Sequence, residues 1–143
     1  MKTKVETVFR PDLSFSRKQS IFSARVSAGF PSPAADYEEG KLDLNRHLVR
    51  NPPATFFVRV TGDSMLGAGI HCGDLLIVDR SLEPKNRSVV IAVINGELTV
   101  KRISIRGKKV TLLPENENYS PQEINPESEF EVWGVVTNVV HEL

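Results

Sequence analysis

Ser64 and Lys101 are the two residues of this chain whose types could together perform catalysis. Ser64 lies in residues 61–65 (TGDSM) and Lys101 in residues 98–102 (LTVKR). A serine hydroxyl is a weak nucleophile until a base takes its proton, and Ser-Lys pairs are one known solution. The lysine must be neutral, which requires a pKa lowered by roughly 3 units from its ordinary value. Burial among apolar groups can supply that shift.

A third element is a bond that such a pair could cut. Ala28-Gly29 is a bond between small residues, and residues 30–37 (FPSPAADY) follow it. Pro31 favours an extended conformation for the residue before it, and an extended chain is what a peptidase cleft usually binds. A nucleophile, a base and a scissile bond in one chain predict a protein that cuts itself.

An oxyanion hole would complete the machinery. Ser64 is followed by a glycine-bearing turn at residues 67–69, which can leave main-chain N–H groups free. The N–H groups of Asp63 and Ser64 are the candidate donors to a tetrahedral intermediate.

Other catalytic and metal sites find little support. His71 and Cys72 are adjacent, so their side chains would point apart on a strand. The three scattered histidines give no metal-ligand spacing and no Ser-His-Asp motif, so we expect no metal and no cofactor. The lone Cys72 excludes an internal disulfide.

The residues ahead of Ala28 resemble those of an export signal only at the bond itself. Residues 26–28 (VSA) suit a signal peptidase, but the preceding stretch contains five charged residues instead of an apolar segment. No apolar run reaches the roughly 20 residues of a transmembrane helix. We therefore expect a cytoplasmic protein without a membrane anchor.

Charge is divided unevenly along a chain of zero net charge. Residues 1–28 sum to +4, so residues 29–143 sum to −4. Loss of the first segment would leave an acidic protein, poorly suited to bind DNA phosphates. We expect no direct sequence-specific DNA binding, and any link to DNA through a protein partner.

The elements that must position these residues are mostly strands. Residues 55–61 alternate apolar and polar side chains, and Asn95-Gly96 is a strong hairpin signal between residues 88–94 and 97–103. Further strands are predicted at 75–78, 110–113 and 132–140, with one short helix from Asp43 to Arg50. The predicted fold is a single, mostly β domain of folded, partly closed antiparallel sheet over residues 29–143. Residues 1–28 show no helical or strand period and are predicted to form an extended, cleavable N-terminal arm.

These motifs together resemble the UmuD family, relatives of LexA-type self-cleaving proteins. The resemblance rests on residues 28–37, 62–65, 73–79 (GDLLIVD), 98–102 and 132–136 (VWGVV). It implies that Ser64 attacks the Ala28 carbonyl with Lys101 as general base, and that each molecule cuts once at Ala28-Gly29, either in its own arm or in that of a dimer partner. It further implies a homodimer, stimulation by a RecA filament on single-stranded DNA, and a shortened form that serves a UmuC-type polymerase in SOS mutagenesis.

Four alternatives compete with this interpretation. A LexA-type repressor needs an N-terminal DNA-binding domain that 27 residues cannot form, and a signal peptidase needs a membrane anchor. A non-catalytic binding module of a polymerase complex, or an unrelated β-rich protein, would leave Ser64 and Lys101 without a role.

Overall fold

The computed structural model describes residues 1–14, 18–22 and 38–143, with side-chain surroundings for residues 1–14 and 40–143. The strands are β1 (Lys4–Phe9), β2 (Lys18–Phe22), β3 (Glu38–Asp43), β4 (Thr55–Thr61), β5 (Leu75–Asp79), β6 (Val89–Ile94), β7 (Glu97–Arg106), β8 (Lys109–Leu113), β9 (Gln122–Ile124) and β10 (Phe130–Val140), and the α-helix is α1 (Leu44–Leu48). Two compact units result: Met1–Pro11 with Asn51–Leu143, and Asp12–Arg50.

The larger unit is built on one antiparallel sheet of eight strands. Their order is β1-β4-β5-β10-β6-β7-β8-β9, and β1 also pairs with β7. That extra pairing closes the first six strands into a barrel-like ring, while β8 and β9 extend beyond it. The predicted mostly β fold with a partly closed antiparallel sheet is therefore confirmed.

Local sequence explains the strands that carry the site. On β4, Val58 and Val60 point inward and are fully buried, as the alternation predicts. Asn95 and Gly96 both have positive φ, 49° and 83°, which suits the two-residue turn between β6 and β7.

The barrel-like ring has apolar contacts on both of its faces. One cluster contains Val58, Val60, Met65, Ile70, Leu76, Val78, Ile91 and Val100. The second contains Val90, Ala92, Ile94, Ile103, Leu112 and Val135. Because consecutive residues of β6 contribute to different clusters, β6 is buried on both faces, which fixes the register of its partner β7.

Strand β1, like β2, β3 and β9, is an element that the sequence did not predict. It pairs with β4 from Lys4↔Thr61 to Phe9↔Phe57. Only Val5 of its six residues is even partly buried. Main-chain hydrogen bonds, and not an apolar face, hold this strand, so no hydrophobic period marks it.

The smaller unit contains the β2–β3 pair and α1. The carboxylate of Asp43 accepts a hydrogen bond from the N–H of Asn45 and caps α1. The predicted helix is present but ends at Leu48, two residues before the predicted end. The predicted boundary between arm and domain at residue 28 lies outside the described residues.

Candidate active site

Ser64 is held in a tight turn immediately after β4. Gly62 opens the turn at φ +96°, and a Cβ there would lie 2.3 Å from the main-chain oxygen of Lys2. The main chain of Glu115 fixes the other side: its N–H donates to the Ser64 carbonyl at 2.8 Å, and its carbonyl accepts from the Gly67 N–H at 2.7 Å. The turn thus places the Ser64 side chain in the interior, where it is fully buried.

Lys101 reaches Ser64 from the middle of β7. It pairs with Val90 of β6, and only 4% of it is exposed. Its Nζ lies 3.2 Å from the Ser64 Oγ, within hydrogen-bond distance. The two residues that the sequence singled out are therefore in direct contact, although 37 positions separate them.

The surroundings of Lys101 favour its neutral form. Burial and, to a smaller extent, the positive charge of Lys2 together lower the pKa of Lys101 to about 8. Within the described part of the chain, no carboxylate forms an ion pair with Lys101. At pH 7 a pKa of about 8 leaves roughly a tenth of the amine neutral, against less than about a thousandth at its ordinary pKa.

The start of the chain lies in the same cleft as an extended strand. The Thr3 N–H donates to the Ser64 Oγ at 2.8 Å, and the Thr3 carbonyl accepts from the Val100 N–H at 3.2 Å. The Met1 carbonyl accepts from the Asp63 N–H at 2.8 Å. The cleft between the Ser64 turn and β7 therefore pairs with the main chain of a peptide. Asp63, one of the two predicted oxyanion donors, directs its N–H to a peptide carbonyl.

The Asp63 carboxylate takes part in a separate surface network. It accepts hydrogen bonds from the Tyr119 hydroxyl at 2.5 Å and from the Met1 ammonium at 2.9 Å. The Tyr119 bond is the larger cause that lowers the pKa of Asp63, and the same bond raises the pKa of Tyr119. These contacts hold the carboxylate at the mouth of the cleft.

The remaining predicted site residues divide into two groups. Ala28 and Gly29 lie outside the described residues. His71 and His141, which showed no ligand spacing in the sequence, meet at the buried Asp74. Only the register of β5 against β10 reveals this meeting, because residue 141 follows one strand and residue 74 precedes the other.

Comparisons with known proteins identify the family of this chain. A model of the "Peptidase S24-like" family matches residues 20–137. The chain is 49% identical over 121 residues to protein SamA of Salmonella typhimurium, covering 85% of this chain and 84% of SamA. It is 48% identical over 126 residues to protein MucA of Escherichia coli, covering 86% of each. The chain belongs to the peptidase S24-like family and, within it, to the UmuD family.

A more distant relative bears on the repressor alternative. The LexA repressor of Bordetella avium is 37% identical over 116 residues, which are 81% of this chain but 54% of the repressor. The similarity thus covers little more than half of that protein. Among the described residues, no helix is both long and apolar enough to cross a membrane.

Proposed function

We propose that this protein cuts its own chain between Ala28 and Gly29 with Ser64 as nucleophile and Lys101 as general base. The observation that carries the proposal is the 3.2 Å contact between the Lys101 Nζ and the Ser64 Oγ in a buried site. Membership of a peptidase family supports it independently.

The reaction runs in two steps. Neutral Lys101 takes the proton of the Ser64 hydroxyl as the oxygen attacks the Ala28 carbonyl carbon. The intermediate collapses, the bond to the Gly29 nitrogen breaks, and the Lys101 ammonium returns the proton to the leaving amine. Water then hydrolyses the ester on Ser64, with Lys101 as base again. The N–H groups of Asp63 and Ser64 are the proposed donors to the oxyanion.

The cleft must exchange one segment for another before this can happen. In the described state Ser64 has no exposed surface, and the Thr3 N–H occupies its Oγ. The segment around Ala28 therefore reaches Ser64 only after residues 1–4 leave. A slow self-cleavage that needs a trigger follows from this competition.

Family membership supports a role in SOS mutagenesis. In this proposal the protein is a homodimer in the cytoplasm, and a RecA filament on single-stranded DNA promotes cleavage by favouring release of residues 1–4. The shortened form, which carries a charge of −4, then binds a UmuC-type translesion polymerase and not DNA directly. No cofactor takes part.

The covered Ser64 also favours a second candidate, a binding module of the polymerase complex that never cuts. Intact-mass spectrometry after incubation at pH 8–9, with and without a RecA filament, separates the two. We expect a fragment beginning at Gly29 in the wild type and in the control Lys109→Ala, whose lysine is exposed on β8. Ser64→Ala and Lys101→Ala should give none. An uncut wild type in every condition would contradict self-cleavage and favour the non-catalytic candidate.

A further inference from the structure

Three side chains next to the start of β5 and the end of β10 form a compact set of possible metal ligands. Asp74 directly precedes β5 and His141 directly follows β10, and the antiparallel register pairs Leu75 with Val140. Continuing that register by one residue places His141 opposite Asp74. The His141 Nδ1 lies 2.6 Å from the Asp74 Oδ1.

A tight turn adds the third residue. The Asp74 N–H donates to the His71 carbonyl at 3.1 Å, while the His71 N–H donates to the Asp74 Oδ2 at 2.7 Å. These reciprocal bonds fold residues 71–74 back on themselves, with Gly73 at φ +92°. The turn leaves the His71 Nδ1 3.7 Å from the Asp74 Oδ2 and the two imidazole rings 4.4 Å apart.

The three side chains differ in a way that suits a metal site. Asp74 is only 3% exposed and is fixed by its bonds, whereas His71 and His141 are 48% and 40% exposed. The carboxylate is thus a rigid ligand, and the two imidazoles are free to turn toward it from the surface. The three possible ligand atoms already lie within 4.8 Å of one another. Tetrahedral zinc with ligands at about 2.0 Å needs them about 3.3 Å apart. A rotation of the exposed rings can shorten the longer separations and lengthen the 2.6 Å contact between His141 and Asp74.

Asp74 and His141 of this set line a surface cavity of about 630 Å³. Cys72, Glu142 and Arg59 also line it. Glu142 and Arg59 carry opposite charges. The Arg59 guanidinium donates a hydrogen bond to the Gly73 carbonyl at 2.9 Å. A metal ion would therefore have an entry path and space for a water or an external ligand in its fourth position.

We propose that His71, Asp74 and His141 form a binding site for a divalent transition-metal ion of the zinc class. Two imidazoles and one carboxylate suit zinc, whereas calcium and magnesium require more oxygen ligands. The ion would join the 71–74 turn to the end of β10. The site is separate from Ser64 and Lys101, and the proposal does not depend on self-cleavage.

Calorimetric titration of the full-length Ser64→Ala protein with Zn²⁺ tests the site. We expect saturable one-to-one binding, and no binding of Ca²⁺. His71→Ala and His141→Gln should each weaken binding at least about tenfold. The control is His47→Ala, which removes the third histidine, in α1, and should bind as Ser64→Ala alone does. Cys72→Ser should also leave the affinity unchanged.

A spectroscopic measurement guards against variants that fold poorly. Co²⁺ in place of Zn²⁺ should give visible absorption typical of tetrahedral nitrogen and oxygen ligation in the Ser64→Ala protein. That absorption should be lost in His71→Ala, an exposed position whose circular dichroism should stay unchanged. No saturable binding of Zn²⁺, or equal binding with and without His71 and His141, would overturn the proposal.

Discussion

Two polar clusters of this molecule, one around Lys101 and one around Asp74, differ in the partners that they offer to a buried ionisable side chain. The buried amine of Lys101 contacts the Ser64 hydroxyl and, among the described residues, no carboxylate. Burial is the larger cause that lowers the pKa of this amine to about 8. At Asp74 a buried carboxylate is surrounded by hydrogen-bond donors, the His71 N–H and the His141 ring. The surroundings of Lys101 disfavour the charged form of its amine, whereas the surroundings of Asp74 offer hydrogen-bond donors to its carboxylate. Burial without an opposite charge nearby makes a reactive base, and burial among hydrogen-bond donors makes a carboxylate a ligand or an anchor.

The largest effect is expected when the Lys101 amine is replaced by a group that stays charged. Lys101→Arg keeps a long basic side chain, but a guanidinium stays protonated and cannot act as a base. Self-cleavage at pH 8 should fall by about 10³-fold, within the range for loss of a general base. Quantitative mass spectrometry of the Gly29 fragment measures the rate, with Lys109→Arg as the control. A loss of less than about tenfold in Lys101→Arg would show that Lys101 is not the base.

Removal of the amine should stabilise the fold. The folded pKa of Lys101, about 8, is below its ordinary value, so the unfolded chain binds more protons between those two pH values. Stability therefore rises with pH across that window, and the cost is complete below pH 8. Lys101→Met should raise the free energy of unfolding at pH 7 by up to about 3 kcal/mol, and the gain should shrink from pH 8 to 10.

Urea unfolding of Lys101→Met at pH 7 and pH 10, on a Ser64→Ala background that cannot cut itself, measures this gain. A gain that is equal at both pH values would reflect better packing and not relief of a buried charge.

The second cluster should respond in the opposite direction. Asp74→Asn keeps the shape but replaces one acceptor oxygen with a donor, so the His71 N–H or the His141 ring loses its partner. We expect a loss of about 1–2 kcal/mol in the free energy of unfolding, measured by urea at pH 7. An unchanged or increased stability would remove the contrast between the two clusters.

The smallest effect is expected from a change in the segment that covers Ser64. The 71–74 turn and the His141 ring contact Asp74, but the removable start of the chain contacts Ser64. Thr3→Pro deletes the N–H that donates to the Ser64 Oγ, so it should speed self-cleavage about fivefold by weakening this cover. Thr3→Val is the control: the Thr3 hydroxyl has no hydrogen-bond partner among the described residues, so its loss should not weaken the cover and the rate should not rise. Equal rates for Thr3→Pro and wild type would mean that residues 1–4 do not compete for the cleft.

Sequence patterns predicted the parts of the molecule that depend on local chemistry. The alternation around Val58 and the Asn95-Gly96 turn specified β4 and the β6–β7 hairpin, and the motifs around Ser64 and Lys101 named a pair that the fold brings together. β1 escaped prediction because its pairing uses main-chain groups and buries almost nothing. The meeting of His71 with His141 escaped it because strand register, which spacing along the chain does not encode, creates that contact.

The most direct test of the account is the pH dependence of the self-cleavage rate of the wild-type protein between pH 6 and 10. If neutral Lys101 is the base, the rate should rise about tenfold per pH unit at low pH and level off near pH 8, where the pKa of Lys101 lies. A rate that does not change between pH 6 and 9, in a wild type that does cut, would contradict the role of Lys101.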